Sequence, residues 1–174
     1  MIEIRIHGRG GQGVVTAAEL LAKAAFNNGK YCLAFPKFGP DRTGAPVEAY
    51  CRIDDRPIKL RTQIYEPDCL IVLDQGLAKN IDITNGMKKN GVIIINANGS
   101  VKMKFRACSI DATQVALDVI GKPIVNTVML GAFAKATGVI TLKSLEKAIY
   151  GRFSGKIADS NIAAVRKAYE VLKC

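Results

Sequence analysis

No tryptophan occurs in this 174-residue sequence, and histidine occurs once, at position 7. With one imidazole, no Ser/His/Asp set can be assembled, no cysteine stands beside a base, and no pair of carboxylates suggests itself as acid and base. Catalysis by this chain alone is therefore not expected. Acidic residues are also scarce: fifteen Asp and Glu face twenty-five Lys and Arg, for a formal charge of +10. No apolar run approaches the roughly 18 residues that a membrane helix needs. The opening MIEIRIHGRGG holds no apolar core of signal-peptide length. These absences predict a cytoplasmic protein without membrane contact. Sixteen glycines and six prolines follow no period, and 49% hydrophobic content is too high for a disordered chain.

Cysteine is present but in no useful pattern. Cys32, Cys51, Cys69, Cys108 and Cys174 are odd in number and widely spaced, without a C-x-x-C pair. That spacing argues against a secreted disulfide framework, a metal site and an iron–sulfur binding run. The first four read as small apolar fillers in strands or loops. The surplus cations suggest an acidic protein partner or a phosphate-bearing ligand. Nucleic acid is excluded as a partner, because the cations are scattered, no aromatic side chains alternate with them, and no nucleic-acid-binding motif is present.

Along the chain, residues 2–7 alternate apolar and polar and predict a strand. Val14, Val15, Ala18, Leu21, Ala22 and Ala25 recur at helical spacing, and Asn28-Gly29 ends that helix. Short strands are expected at 31–35 and 47–53. The run 69–74 is continuously apolar and closes on an acid, as in a strand buried on both faces, and 92–95 resembles it. A weaker strand is expected at 101–105. Asp111 to Gln114 resembles a capping box that opens a helix through Ile120. Further helices are expected at about 127–137, 142–150 and 156–173, with Asn126 or Thr127 as a cap. Strands interleaved with helices, then a helical final third, predict one α/β domain over 1–174. Its architecture should be three-layer α/β/α, Rossmann-like, with a largely parallel and possibly mixed sheet.

Two turns hold most of the chemical information. Gly8-Arg9-Gly10-Gly11-Gln12-Gly13 satisfies G-x-G-x-x-G between a strand and a helix. Gly8, Gly10, Gly11 and Gly13 there allow a sharp turn and let backbone N–H groups approach an anion or a neighbouring subunit. A dinucleotide fold also wants an acid at the end of the second strand, where this chain has Phe35-Pro36-Lys37. An NAD site is poorly supported, although Lys37 could meet the extra phosphate of NADP in a free-standing reductase. Arg9 suits a carboxylate or a phosphate. In the second turn, Lys37 and Arg42 stand among Pro36, Gly39, Pro40, Gly44 and Pro46, on a stiff backbone that loses little entropy on binding. In a doubly wound sheet this turn would lie on the same edge as the glycine loop. His7 reads as a satisfied structural residue.

The glycine loop, the stretch Phe35-Pro36-Lys37-Phe38-Gly39-Pro40-Asp41-Arg42-Thr43-Gly44-Ala45-Pro46 and the stretch Asn126-Thr127-Val128-Met129-Leu130-Gly131-Ala132 together resemble the gamma subunits of pyruvate:ferredoxin oxidoreductases (pyruvate synthases). The likeness runs nearly end to end. It implies a multi-subunit oxidoreductase that converts pyruvate, coenzyme A and oxidised ferredoxin to acetyl-CoA, carbon dioxide and reduced ferredoxin, or the reverse. Related enzymes of the family act on 2-oxoglutarate, 2-oxoisovalerate or indolepyruvate. The resemblance places thiamine diphosphate with Mg in alpha and beta subunits and 4Fe–4S clusters in the beta and ferredoxin-like delta subunits. For this chain it implies no catalytic residue, no metal and no cofactor of its own. It also implies a place beside the coenzyme A entrance. Lys37 and Arg42 then become candidate phosphate contacts, joined by Arg9, the glycine-loop amides and Asn126.

Overall fold

The computed structural model describes residues 1–37 and 44–174. Six strands form one sheet: β1 (Ile2–Arg9), β2 (Tyr31–Pro36), β3 (Pro46–Asp54), β4 (Cys69–Val72), β5 (Val92–Asn96) and β6 (Arg106–Ile110). Their spatial order is β2-β3-β1-β4-β5-β6. β1, β4, β5 and β6 are parallel neighbours, whereas β3 is antiparallel to both β1 and β2. The sheet is thus mixed, with β3 the one reversed strand. The reversal follows from the chain: only residues 37–45 separate the end of β2 from the start of β3. A connection that short returns a strand antiparallel to its neighbour.

Five helices complete the order: α1 (Val14–Asn27), α2 (Ala112–Ile120), α3 (Val125–Thr137), α4 (Leu142–Tyr150) and α5 (Gly155–Val171). The alternation of β1 sends Ile4 and Ile6 into a core shared with all five helices. The other sheet face carries Leu70, Val72, Ile93 and Ile95, covered by Leu77, Ile83 and Met87. That covering layer is irregular apart from a 3-10 turn at Gln75–Lys79. The expected three layers are therefore unequal. Residues 101–105 form no strand. Val101, Met103 and Phe105 still pack on the second core, so the alternation in the sequence marks their packing side, while no neighbouring strand is there to pair with.

Helix ends are set by their local chemistry. Asn28 caps α1 and Gly29 follows at φ 77°, a left-handed conformation. The Asp111 side chain accepts from Gln114 N at 2.9 Å, which is half of a capping box; the Gln114 amide turns instead to Asp118, at 2.7 Å. Asn126 and Thr127 are not caps. Ile124 holds the cap position of α3, and both residues lie buried in its first turn. There Thr127 Oγ1 donates to Asn161 Oδ1 at 2.6 Å, tying α3 to α5.

The same two helices touch most closely at Gly131, where a Cβ would lie 2.3 Å from the Val165 carbonyl oxygen. Because the obstacle is backbone, Gly131→Ala must part the helices. We expect a loss of about 2 kcal/mol, read as a lowered urea midpoint with unchanged m-value.

Cys108 departs from the expected filler role, since it forms a disulfide with Cys174. The final residues fold back along β6, with Ser109 N donating to Lys173 O at 2.9 Å, and this return brings the two thiols together. Cys51 and Cys69 are buried free thiols and Cys32 is half-buried. Burial pushes all three upward in pKa, disfavouring the thiolate.

Candidate functional site

β1 delivers the chain into the glycine loop, and each glycine with a strict requirement there answers to a particular neighbour. A Cβ on Gly8 would meet Val14 Cγ2 at 2.5 Å, and one on Gly13 would meet Asn126 Nδ2 at the same distance. Gly11 and Gly13 also hold left-handed φ values of 91° and 75°. Gln12 closes the turn: its Oε1 accepts from Arg9 N at 2.7 Å and its own N–H donates to Arg9 O at 3.0 Å. Gly13 caps α1, whose first turn has neither a side-chain cap nor an acidic residue.

The glycine loop lies against the Gly44–Ala45 end of the second turn. Gly10 N donates to Ala45 O at 2.9 Å, and Gly44 N donates to Gly10 O at 3.2 Å. The cause is the sheet register. β1 and β2 both run antiparallel to β3, so the end of β2, the start of β3 and the end of β1 share one edge. Arg9 pairs directly with Pro46 in that register.

Arg9 itself is already engaged. Its Nε–H donates to Asp74 Oδ2 at 2.5 Å and its Nη1 to Gly44 O at 3.2 Å. Asp74 follows β4, and its other oxygen accepts from Gly76 N at 2.7 Å. This ion pair spans the crevice between β1 and β4, the point where the strand order reverses and where a dinucleotide would lie in an open α/β sheet. A neighbouring cleft of about 310 Å³ is lined by Gln12, Asp74, Asn96, Asp111 and Thr113. Its two carboxylates disfavour a phosphate there, and the Asn96 amide is fully committed to Leu73 O, Thr113 and Ala112 N.

Lys37 is the described cation that remains accessible at this edge. Its side chain is 45% exposed and lies 3.3 Å from Glu48 Oε2. Arg42 lies outside the described residues. Asn126 is buried, donates a long 3.4 Å hydrogen bond to Gly13 O, and its Oδ1 has no partner among the described residues. Asp74 was visible in the sequence as the acid that closes an apolar run, but its pairing with Arg9 was not, because 65 residues separate them.

The family model described as "Pyruvate ferredoxin/flavodoxin oxidoreductase" matches residues 3–171. The chain belongs to this family. Among similar members, a protein named pyruvate synthase subunit PorC from Methanothermobacter marburgensis is 55% identical over 174 residues, covering 99% of this chain and 98% of its own. The pyruvate/ketoisovalerate oxidoreductases common subunit gamma of Pyrococcus furiosus is 52% identical, covering 98% and 96%. Among solved structures, the pyruvate oxidoreductase subunit PORC of Thermotoga maritima superposes with a TM-score of 0.89 at 39% identity, covering 99% of this chain and 97% of that one. Members of the pyruvate ferredoxin/flavodoxin oxidoreductase family thus match both the sequence and the fold from end to end.

Proposed function

We propose that this chain is the gamma subunit of a multi-subunit pyruvate:ferredoxin oxidoreductase in the cytoplasm, where it contributes to assembly and lines the path of coenzyme A. Thiamine diphosphate with Mg belongs to alpha and beta subunits, and the 4Fe–4S clusters to the beta and ferredoxin-like delta subunits. Alone, the chain is inactive. The observation that carries this reading is the backbone pairing of the glycine loop with the Gly44–Ala45 end of the second turn. It fixes the glycine loop against the start of β3, with Lys37 accessible at the same edge of the sheet. Coenzyme A brings a diphosphate and a 3′-phosphate, which suit a lysine and the uncapped first turn of α1. Arg9 holds the edge together through Asp74 and does not face solvent as a free cation. The same ion pair weighs against a free-standing NADP reductase, because it fills the crevice that a dinucleotide would need.

Two measurements test the proposal. Purification from the native host should bring down an alpha/beta pair and a small ferredoxin-like chain. In that complex, Lys37→Ala with Arg42→Ala should raise the apparent requirement for coenzyme A about tenfold or more and leave pyruvate dependence unchanged. Charge-assisted hydrogen bonds contribute roughly 1.5–3 kcal/mol. Equal loss of both dependences assigns the turn to assembly instead. One observation favours a broader substrate range: the Pyrococcus furiosus relative is named as common to pyruvate and ketoisovalerate enzymes. Selection of the 2-oxoacid then falls to the partner subunits, and this chain serves either.

A further inference from the structure

The two edges of the sheet are finished differently. Along β6 the returning C-terminus lies alongside, with Ser109 N donating to Lys173 O at 2.9 Å and Lys173 N donating to Ser109 O at 3.3 Å. At the other edge, no described strand lies beyond β2. An edge strand left to solvent is usually blunted by charged side chains, which discourage pairing with another chain. β2 reads Tyr-Cys-Leu-Ala-Phe-Pro and carries no charge; Pro36, at its very end, is its one blunting residue.

Register shows which backbone groups of β2 face outward. Lys37 N donates to Glu48 O at 2.9 Å, one step past the pairing of Pro36 with Ala49. Hydrogen-bonded pairs alternate along an antiparallel ladder, so Phe35, Leu33 and Tyr31 turn their backbone groups towards β3. Cys32 and Ala34 turn theirs away from it, and their side chains pack on the helical core. Beside Cys32, a groove of about 390 Å³ opens between α1 and α4, lined by Ala22, Phe26 and Ala148 with Lys23 and Lys147. Phe26 is 72% exposed there. Both lysines are exposed, and the acids nearest to them along their helices, Glu19 and Glu146, are paired with Arg152 and Arg166.

We propose that an extended segment of a partner subunit, with acidic side chains around an apolar one, adds to the sheet at the free edge of β2. Backbone groups presented at every second residue ask for a strand, because a helix spends its own backbone groups internally. A residue opposite Cys32 in the added strand projects on the same face as Cys32, which brings an apolar side chain to Phe26 and Ala148. Acidic neighbours then meet Lys23 and Lys147. A second copy of this chain fits less well. Pairing β2 with itself offers each groove an uncharged strand flanked by Lys30 and Lys37, without an acid for either groove lysine, and joins two chains of formal charge +10. The inference rests on the chain being one subunit of a larger enzyme.

Backbone amide exchange resolved to single residues tests it, on the complex purified from the native host and on the free chain. In the free chain Cys32 and Ala34 should exchange rapidly while Leu33 and Phe35 exchange slowly. In the complex, Cys32 and Ala34 should slow by about a hundredfold or more. Lys23→Glu combined with Lys147→Glu should speed both again by about tenfold, since repulsion replaces two ion pairs. Raised salt should act in the same direction on the unmodified complex. Rapid exchange at both residues in the complex overturns the proposal and leaves the subunit reading intact, whereas a chain that purifies alone overturns both. Slow exchange in the free chain where it self-associates gives the edge to a second copy. Protection in the complex that ignores both salt and charge reversal excludes an acidic segment. Either result overturns the proposal.

Discussion

Arg52→Met should destabilise the chain by about 4 kcal/mol, read from equilibrium urea unfolding. Arg52 lies in the middle of β3 with only 1% of its surface exposed. Its Nε donates to Glu3 Oε1 at 2.9 Å, and its two Nη groups reach the carbonyls of Leu60, Thr62 and Gln63 at 3.2, 2.6 and 3.3 Å. The guanidinium also stands 5.6 Å from the centre of the Phe35 ring on β2. Methionine fills much of the volume but supplies no donor. Glu3 then keeps only Lys88, at 3.7 Å, and three carbonyls lose their partner. The cost arises from what is left unpaired, so Arg52→Lys, which restores the charge without the planar fork, should recover a minor part. The variant should also be cut faster by proteases between residues 55 and 66, where the chain has no regular structure and depends on this anchor.

The contrast between Arg52 and Ile4 shows how much of the fold was legible. Ile4, Ile6 and the run from Cys69 to Val72 are buried, and their periodicity in the sequence says so without help from the rest of the chain. The glycine turn was readable for a local reason also: a strand and a helix on either side leave it little else to be. Arg5 and Arg52 alternate with apolar residues, and an alternating cation reads as a solvated face. They are buried, as is His7, because the second sheet face is covered by residues 55–66 and 75–91, which have no helical or strand period to announce that they cover anything. The closeness of the two turns could be anticipated from strand direction alone, even though β3 lies between β1 and β2. The partners that fix the site could not. Asp74 for Arg9, Asn126 for Gly13 and Cys174 for Cys108 are each separated by more than sixty residues, and no local pattern links them.

Below about pH 6.5 the chain should lose stability in proportion to the charging of a single buried imidazole, by about 3 kcal/mol at the acid end of the window. Burial, only partly offset by Glu48, lowers the His7 pKa from 6.5 to about 4, and the nearby Arg5 and Lys37 add to the lowering. The folded chain therefore holds His7 neutral where the unfolded chain would protonate it. Its contribution is fully present above pH 6.5 and is lost as pH falls towards about 4, and the gap between the two values sets the size. Carboxylates with lowered pKa values act in the same direction, Glu48 from an ordinary value of 4.5 and Asp54 and Asp82 from 3.8, so their share appears at the acid end and below it. The window between about pH 4.5 and 6.5 belongs to His7. Urea midpoints measured across it should slope upward with pH in the parent chain. In His7→Gln, whose side-chain amide oxygen offers Arg5 an acceptor near the Nε2 position but cannot titrate, they should be nearly flat. A parallel slope in both proteins would place the titrating group elsewhere.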